Sequence, residues 1–496
     1  MAISASVFSG PTNVMAMGHP FIGPGSTNVP GVLVGIDART RELVSMDPWL
    51  LKNAGVIHSA FGVVLAPKGY GKSATLKILA IRLMMLSAGY QTMHVAINDY
   101  KPEGRASEYE LFTQACRSRV FKIAQSSVNP FESRLFMSAD NRVYELGLLG
   151  VAEMICEFVK EGRLVGNEGV ALRIALYTML KHPETLWGLH TLFKLLRSIT
   201  RDQIRGYYDN LDSKLLGQLL LRNQRITDPA QKLQVELQIR ELAGARDNPL
   251  PEDVQQAGGY VSTLLARVLY GSYGHMWGDT QSLYEMYTQR AVTKDWRDVD
   301  KEPETLWRTI DTRIKVAAIE NNRLDLLPHI EIDDEKHKSM DNPVYARSHS
   351  FFSEIARSTH TCSLSATHRL SSIRKGGVGS ELYALGDTII NNLGWVMLGR
   401  QDNVPSILDE LQARYRLSNT DTRLLTSLPK YTFGMKLGEE EPLRFVRVFA
   451  TPKEMEILRT DGATDRMIDR PNVLHPAQIQ RFADENGIVY LGQSAA

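Results

Sequence analysis

Apolar positions along the chain switch between two periods. Phe61–Ala66 is an unbroken apolar run, as expected of a strand buried on both faces. A glycine-rich turn follows at Pro67–Gly71. From Lys72 to Ser87 the residues Leu76, Leu79, Ala80, Leu83 and Leu86 share one helical face, and Gly89 supplies a stop. Met93–Ile97 is a second short apolar run. Strand, turn, helix and strand make a βαβ unit, which predicts a parallel sheet. Ahead of it, Val32–Gly35 and Leu43–Val44 flank a polar turn and predict a hairpin.

Beyond residue 140 the pattern changes. Long periodic apolar segments recur at Val143–Phe158, Val170–Leu180, Leu189–Leu196, Leu215–Leu221 and Val261–Leu269, with few strand-like runs among them. They predict a helical insertion, with a separate helical domain as the alternative. Strand signals return at His329–Ile332, Cys362–Thr367 and Trp395–Leu398. Tyr431–Leu437 and Leu443–Ala450 predict a second hairpin, and Thr451-Pro452-Lys453-Glu454 opens a helix with a cap, Pro at its first position and Glu three residues on. The expected organisation is an N-terminal extension with a hairpin (1–60), the first part of an α/β core (61–140), a helical insertion (141–305), the second part of the core (306–460) and a tail (461–496).

Composition narrows the function. A chain of 496 residues has material for two to four domains. With 57 Lys and Arg against 56 Asp and Glu, the net charge is +1, so bulk charge does not hold it on nucleic acid. A DNA contact then needs a local basic loop or assembly into a ring. Apolar residues at 43% and charged residues at 23% are ordinary for a folded chain. Cys116, Cys156 and Cys362 make neither a disulfide framework nor a zinc pair, which fits a reducing compartment. The N-terminus lacks the basic and apolar regions of a signal peptide. The longest apolar stretch, Leu76–Ala88, is interrupted by Lys77 and Arg82. The expectation is a cytoplasmic chain that reaches the inner face of a membrane only through partners.

The strongest chemical signal is Ala66-Pro67-Lys68-Gly69-Tyr70-Gly71-Lys72-Ser73, of the form [AG]-x-x-x-x-G-K-[ST]. Its glycines let successive backbone N–H groups face inward as an anion nest, and the following helix adds the positive end of its dipole. Lys72 would reach β- and γ-phosphate oxygens, and Ser73 would offer its hydroxyl to magnesium. Pro67, Lys68, Gly69, Tyr70, Gly71, Lys72, Ser73 and Ala74 are the candidate nucleotide-binding residues, with ATP and magnesium as the ligands. Ala66 stands where the first glycine is usual.

Such a loop needs carboxylates on a neighbouring strand. Leu327-Pro-His-Ile-Glu-Ile-Asp333-Asp334-Glu335 is a short apolar strand ending in acids. Asp334 would hold the metal and Glu335 would polarise water, with Asp333 able to take either role if the register shifts by one. A solvated acidic turn is the alternative. Asp99 is a further acid at a strand end, either near the nucleotide or a turn residue. Cys362–Thr367 ends at His368, so Thr367 or His368 can sense a γ-phosphate. Arg357, eleven residues before His368, and Arg400, after the Trp395–Gly399 strand, are candidates for an arginine given to a neighbouring subunit; surface ion pairing is the alternative for each. Arg374-Lys375-Gly376-Gly377-Val378-Gly379 is a basic loop, either pore-facing or simply solvated.

Taken together, these pieces resemble the TraC-like conjugative-transfer ATPases of type IV secretion systems, in the HerA–FtsK superfamily. The resemblance runs through Gly31-Val-Leu-Val-Gly-Ile-Asp37, the phosphate loop, Asp99-Tyr-Lys-Pro-Glu-Gly with Glu108-Tyr109, Val128-Asn-Pro-Phe131, and Asp334-Glu335-Lys-His337-Lys338. Arg357 falls where that family places an arginine before its A-T-Q motif, which here reads Ala366-Thr367-His368. The similarity covers about residues 30–460. It implies a RecA-like P-loop fold with a central, mostly parallel sheet, and a homohexameric ATP-hydrolysing motor docked on secretion-channel subunits, in contact with single-stranded DNA or a translocated protein. His368 departs from the family's Gln, and the resemblance is to the family's motor half alone, which implies that its N-terminal docking part would be a separate polypeptide. Two other functions remain open: a DNA-translocating coupling-protein or FtsK-like pump, and a nucleotide-gated assembly protein with little hydrolysis.

Overall fold

The computed structural model describes residues 31–86, 93–100, 107–138, 142–182, 187–210, 251–272, 274–278, 283–335 and 340–458. The 1–30 stretch, Gly89, the Lys101–Gly104 part of the acidic stretch, Leu215–Leu221, Lys336–Lys338 and the 461–496 tail lie outside the described residues. The chain forms two units: one from the segment up to Gln125 and the segment from Tyr284 onward, the other from Ser126–Leu283.

The first unit is built on one sheet of eleven strands: β1 (Val32–Asp37), β2 (Leu43–Met46), β3 (Gly62–Leu65), β4 (Val95–Asp99), β5 (Arg119–Lys122), β6 (Ala291–Asp295), β7 (Ile330–Asp334), β8 (Cys362–Thr367), β9 (Trp395–Leu398), β10 (Thr432–Leu437) and β11 (Arg444–Val448). Their order is β2-β1-β11-β10-β9-β3-β8-β7-β4-β6-β5. From β9 to β5 every neighbouring pair is parallel. The two hairpins, β1–β2 and β10–β11, extend the sheet antiparallel from β9, with β1 pairing β11.

Helices cover both faces, so β3 and β9 read as solid apolar runs rather than alternating ones. On one face α1 (Lys72–Leu86) packs Leu76, Leu79 and Leu83 against Val64, Ala66, Ile97, Ile332, Leu364 and Ala366. Leu79 is completely buried, and truncation to alanine would cost about 2–5 kcal/mol. On the other face α2 (Lys301–Glu320), α3 (Pro343–Ile355) and α4 (Glu381–Asn391) lie against the sheet; Val63, Leu65, Val396 and Leu398 pack there with Tyr345, Ile389 and Ile390. The start of α3 is set by Asn342, whose side-chain oxygen accepts from the Val344 and Tyr345 amides at 2.9 and 3.1 Å, with Pro343 at the first helical position.

The second unit is helical. The helices Glu145–Lys160, Asn167–Leu180, Leu189–Arg197 and Pro251–Tyr270 pack on one another. Its first turn is the Asn-Pro-Phe step. Asn129 accepts from the Phe131 amide at 3.0 Å and donates to the Trp187 carbonyl at 2.6 Å, while Phe131 is sealed from solvent.

Sequence had placed this helical region at 141–305; the unit runs 126–283. Two features move its end. Ala291–Asp295 is a sheet strand whose Lys294 and Asp295 disguise it as polar, and α2 packs on α3 in the first unit. Arg119–Lys122 is likewise a strand, concealed by a charge at each end of two apolar residues.

Candidate functional site

The loop between β3 and α1 owes its shape to two glycines. Gly69 and Gly71 have φ of +82° and +91°, which side-chain-bearing residues rarely adopt. Nothing lies within 4 Å of a Cβ placed on Gly69, so the backbone there is open to a ligand. The helix begins at Lys72, and Ser73 is buried in its first turn beside half-buried Ala74. Lys68 is exposed, Pro67 and Tyr70 half-buried. The Lys72 ammonium is buried and donates to the Ala66 carbonyl at 2.8 Å and the Pro67 carbonyl at 3.1 Å.

Strand order brings the acids to this loop. β8 lies between β3 and β7, and Ala366 is in register with both Val64 and Asp334. The carboxyl ends of the three strands therefore form one row, where an open parallel sheet binds ligands. Side chains alternate between faces. Asp334 shares the α1 face with Ile330 and Ile332; Asp333 points to the α2 face. Asp334 is fully buried and accepts from the Tyr109 hydroxyl at 3.2 Å. Burial, and then the charge of Asp334, push the Tyr109 hydroxyl well above its ordinary pKa, so it stays a donor.

Glu335 follows at φ +69°, a left-handed conformation unusual for a residue with a side chain. Its Oε1 is 3.5 Å from His368 Nε2. His368 Nδ1 lies 3.2 Å from the Lys72 ammonium and 3.3 Å from the Ala66 carbonyl, and Nε2 faces Glu335. Glu335, His368 and Lys72 thus form one polar chain across the ends of β7, β8 and β3.

The remaining expected residues fall elsewhere. Asp333 is paired with buried Arg308 from α2, whose Nη2 is 3.1 Å from both carboxylate oxygens, which removes it from the loop side of the sheet. Asp99 accepts from the Ser107 hydroxyl at 2.6 Å and the Glu108 amide at 2.8 Å, the bonding of a turn-forming carboxylate. Arg400 donates to the Tyr70 hydroxyl at 2.9 Å, within its own phosphate loop. Arg357 is exposed in the turn before β8, and its Nε donates to the Glu354 carbonyl at 3.2 Å. The six residues of β8 separate it from His368 by roughly 20 Å, so it stands at the amino end of the strand, away from the loop at the carboxyl ends. In the basic loop, Arg374 pairs with Asp387 at 2.8 Å and Glu410 at 2.6 Å, and Lys375 with Asp341 at 3.1 Å. Both cations are engaged by acids of the same chain.

Sequence reasoning missed three participants. Tyr109 was quoted only as part of a motif; its hydroxyl reaches Asp334 from 225 positions away. Arg308 carried no signal, since one arginine on a mixed helix looks like a surface residue. Tyr431 was read as the first residue of a strand; its ring instead lies against Gly71, where an added Cβ would come within 2.4 Å of it.

The donor set fits a magnesium nucleotide. Magnesium is held by one or two carboxylates together with phosphate and water rather than by an all-protein cage, and the chain offers Asp334 and the Ser73 hydroxyl beside an open backbone nest.

Fold and row of strand ends together define the RecA-like P-loop class of α/β proteins. Within that class the chain is similar to VirB4 of Thermoanaerobacter pseudethanolicus, with a TM-score of 0.56 and 16% identity over 88% of this chain and 99% of the other. At that identity the likeness concerns the fold. The bacterial conjugative coupling protein TrwB, in complex with sulphate, aligns at a TM-score of 0.45 and 12% identity over 86% of this chain and 95% of the other, too distant to carry an argument. No protein-family model and no curated protein sequence matches the chain. Among the described residues no helix is long and apolar enough to cross a membrane.

Proposed function

We propose that the chain is an ATP-hydrolysing motor that energises a conjugative DNA-transfer or type IV secretion apparatus. One observation carries the reading: the phosphate-loop lysine, the strand-end glutamate and the strand-end histidine meet in a single polar chain, Lys72–His368–Glu335, beside buried Asp334. The VirB4-like fold and the family resemblance of the motifs point the same way.

In this reading, the amides of Gly69 to Ala74 and the dipole of α1 hold the β- and γ-phosphates. The Lys72 ammonium exchanges its loop carbonyls for phosphate oxygens. Ser73 and Asp334 hold magnesium, which when bound neutralises developing charge on the phosphates. Tyr109 keeps the Asp334 carboxylate oriented through its hydrogen bond. Glu335 orients and polarises the attacking water, and His368, in contact with both Lys72 and Glu335, relays whether the γ-phosphate is present. Arg357, at the amino end of β8 and away from this chain's own loop, would serve a neighbouring copy in a homohexamer, whereas Arg400 donates to Tyr70. Docking on secretion-channel subunits, near the membrane's inner face, and a DNA or protein cargo belong to the same proposal.

The test is magnesium-dependent phosphate release by the wild type, Lys72→Ala and Glu335→Gln. The wild type should turn over, Lys72→Ala should lose nucleotide binding, and Glu335→Gln should bind ATP while losing at least about 100-fold in turnover. Wild-type turnover no greater than that of the variants refutes the motor. Stimulation by DNA with a steep salt dependence would reassign the chain as a DNA pump; tight ATP binding without phosphate release would make it an assembly switch.

A further inference from the structure

We propose that Tyr431 is a shelf on which the base of a bound nucleotide stacks, so that the loop selects a nucleotide over a bare polyphosphate. This rests on the nucleotide-binding reading above and deepens it.

Tyr431 precedes β10 with φ +62°. A bulky residue in the left-handed region is an outlier, and such conformations persist where the surroundings enforce them, chiefly at functional sites. Here two backbone bonds enforce it. The Tyr431 amide donates to the Tyr70 carbonyl in the phosphate loop at 3.3 Å, and its own carbonyl accepts from the Val448 amide at 2.8 Å. The β10–β11 hairpin is thereby fastened to the phosphate loop.

The ring sits directly on Gly71, the residue before Lys72; a Cβ there would lie 2.4 Å from Cδ1 and 2.6 Å from Cε1. Yet Tyr431 is 45% exposed. One part of the ring therefore touches the cradle and the rest is open to solvent. A tyrosine used for core packing would be buried, and a bulky aromatic residue is an outlier in the left-handed region. Beside it, half-buried Tyr70 has its hydroxyl fixed by exposed Arg400 at 2.9 Å. Two rings and a guanidinium thus flank the glycine-rich loop on the β10 side. Stacking uses the face of a base and not its hydrogen-bonding edges, so the shelf would not distinguish adenine from guanine.

The experiment is calorimetric titration of the full chain with magnesium ATP, magnesium GTP and magnesium tripolyphosphate. The proteins are the wild type, Tyr431→Asn, which removes the ring while tolerating positive φ, and Tyr431→Phe, which keeps the ring. Tyr431→Asn should weaken ATP and GTP alike by about tenfold, the effect of one base–aromatic stack, and leave tripolyphosphate unchanged. Tyr431→Phe should bind all three as the wild type does. Photolabelling of the wild type with 8-azido-ATP gives a second readout that needs no variant, and the label should fall on Tyr431 or Tyr70. Unchanged ATP affinity in Tyr431→Asn, equal weakening of ATP and tripolyphosphate, or a label found only elsewhere overturns the shelf while leaving the phosphate loop intact. A wild type that binds neither ATP nor tripolyphosphate overturns the nucleotide reading itself.

Discussion

Replacing Arg308 by methionine would take a guanidinium out of a sealed site. Arg308 and Asp333 are each 4% exposed. Nη2 lies 3.1 Å from both Asp333 oxygens, and Nη1 is 3.9 Å from Glu304 Oε1. The guanidinium also lies over the rings of Tyr100 and Tyr345, at 4.5 and 4.9 Å. Burial pulls its pKa down, but Tyr100, Tyr345, Asp333 and Glu304 outweigh burial and the net shift is upward, so it stays charged. Without it, Asp333 is a buried carboxylate with no guanidinium against it. Breaking such a pair from one side costs about 3–5 kcal/mol. The exposed Lys301–Asp341 pair at 2.6 Å, whose lysine is on the same helix as Arg308, is worth less than about 1 kcal/mol, because water screens it. Lys301→Ala is therefore the internal control.

The assay is urea unfolding followed by tryptophan fluorescence, since Trp296 and Trp307 sit together near the pair, with ring centres 5.7 Å apart. Arg308→Met should lose about 3–5 kcal/mol and Lys301→Ala less than about 1 kcal/mol. The double variant Arg308→Met/Asp333→Leu should recover most of the loss, because an apolar replacement leaves no buried charge. A loss below about 1 kcal/mol in Arg308→Met, or a double variant as unstable as the sum of its singles, would refute the argument.

Two further outcomes are expected. His94 is buried, and burial first, then Lys294 and Lys315, lower its pKa to about 3. The unfolded chain takes this proton near pH 6.5 and the folded chain does not, so stability is full above that pH. It falls by up to about 1.4 kcal/mol per unit as the pH drops towards 3; His94→Leu should flatten this limb in urea midpoints at pH 7.0, 5.5 and 4.5, and parallel curves would contradict the reading. Glu335→Gly should relieve the +69° backbone and raise thermal stability by up to about 1 kcal/mol while abolishing turnover, whereas a less stable variant would mean that Glu335 is not strained.

Much of the core was legible locally. Phe61–Ala66 is completely buried because nothing polar interrupts it, and α1 starts at Lys72 where the glycine turn ends. Both hairpins stood out because a polar turn separates two apolar stretches. What escaped were elements whose composition misleads. β6 carries Lys294 and Asp295, and both are buried: Lys294 is paired with Asp311 of α2, and Asp295 with Arg297. Lys77 looked like a break in an apolar stretch, yet it is wholly buried, donating to the Glu108 carbonyl at 2.6 Å with its ammonium over the Tyr109 ring. A charge whose partner lies far along the chain cannot be told from a solvated one by its neighbours in sequence.

Residue order alone determined the glycine-rich turn, the helix behind it and an acid-ended strand, because each depends on conformational preferences and periodicities within about twenty residues. It left open which of Asp333 and Asp334 shares the face of β7 that packs on α1, since a shift of one residue exchanges the two faces of a strand. Tertiary structure decided that by placing Arg308 on one side of β7 and α1 on the other. It also decided that β8 lies between β3 and β7, which brings His368 within reach of both Lys72 and Glu335, and that β1 joins β11. Those choices rest on pairings between segments hundreds of residues apart, where burial of whole faces and cancellation of buried charge select one arrangement among many that local pattern permits.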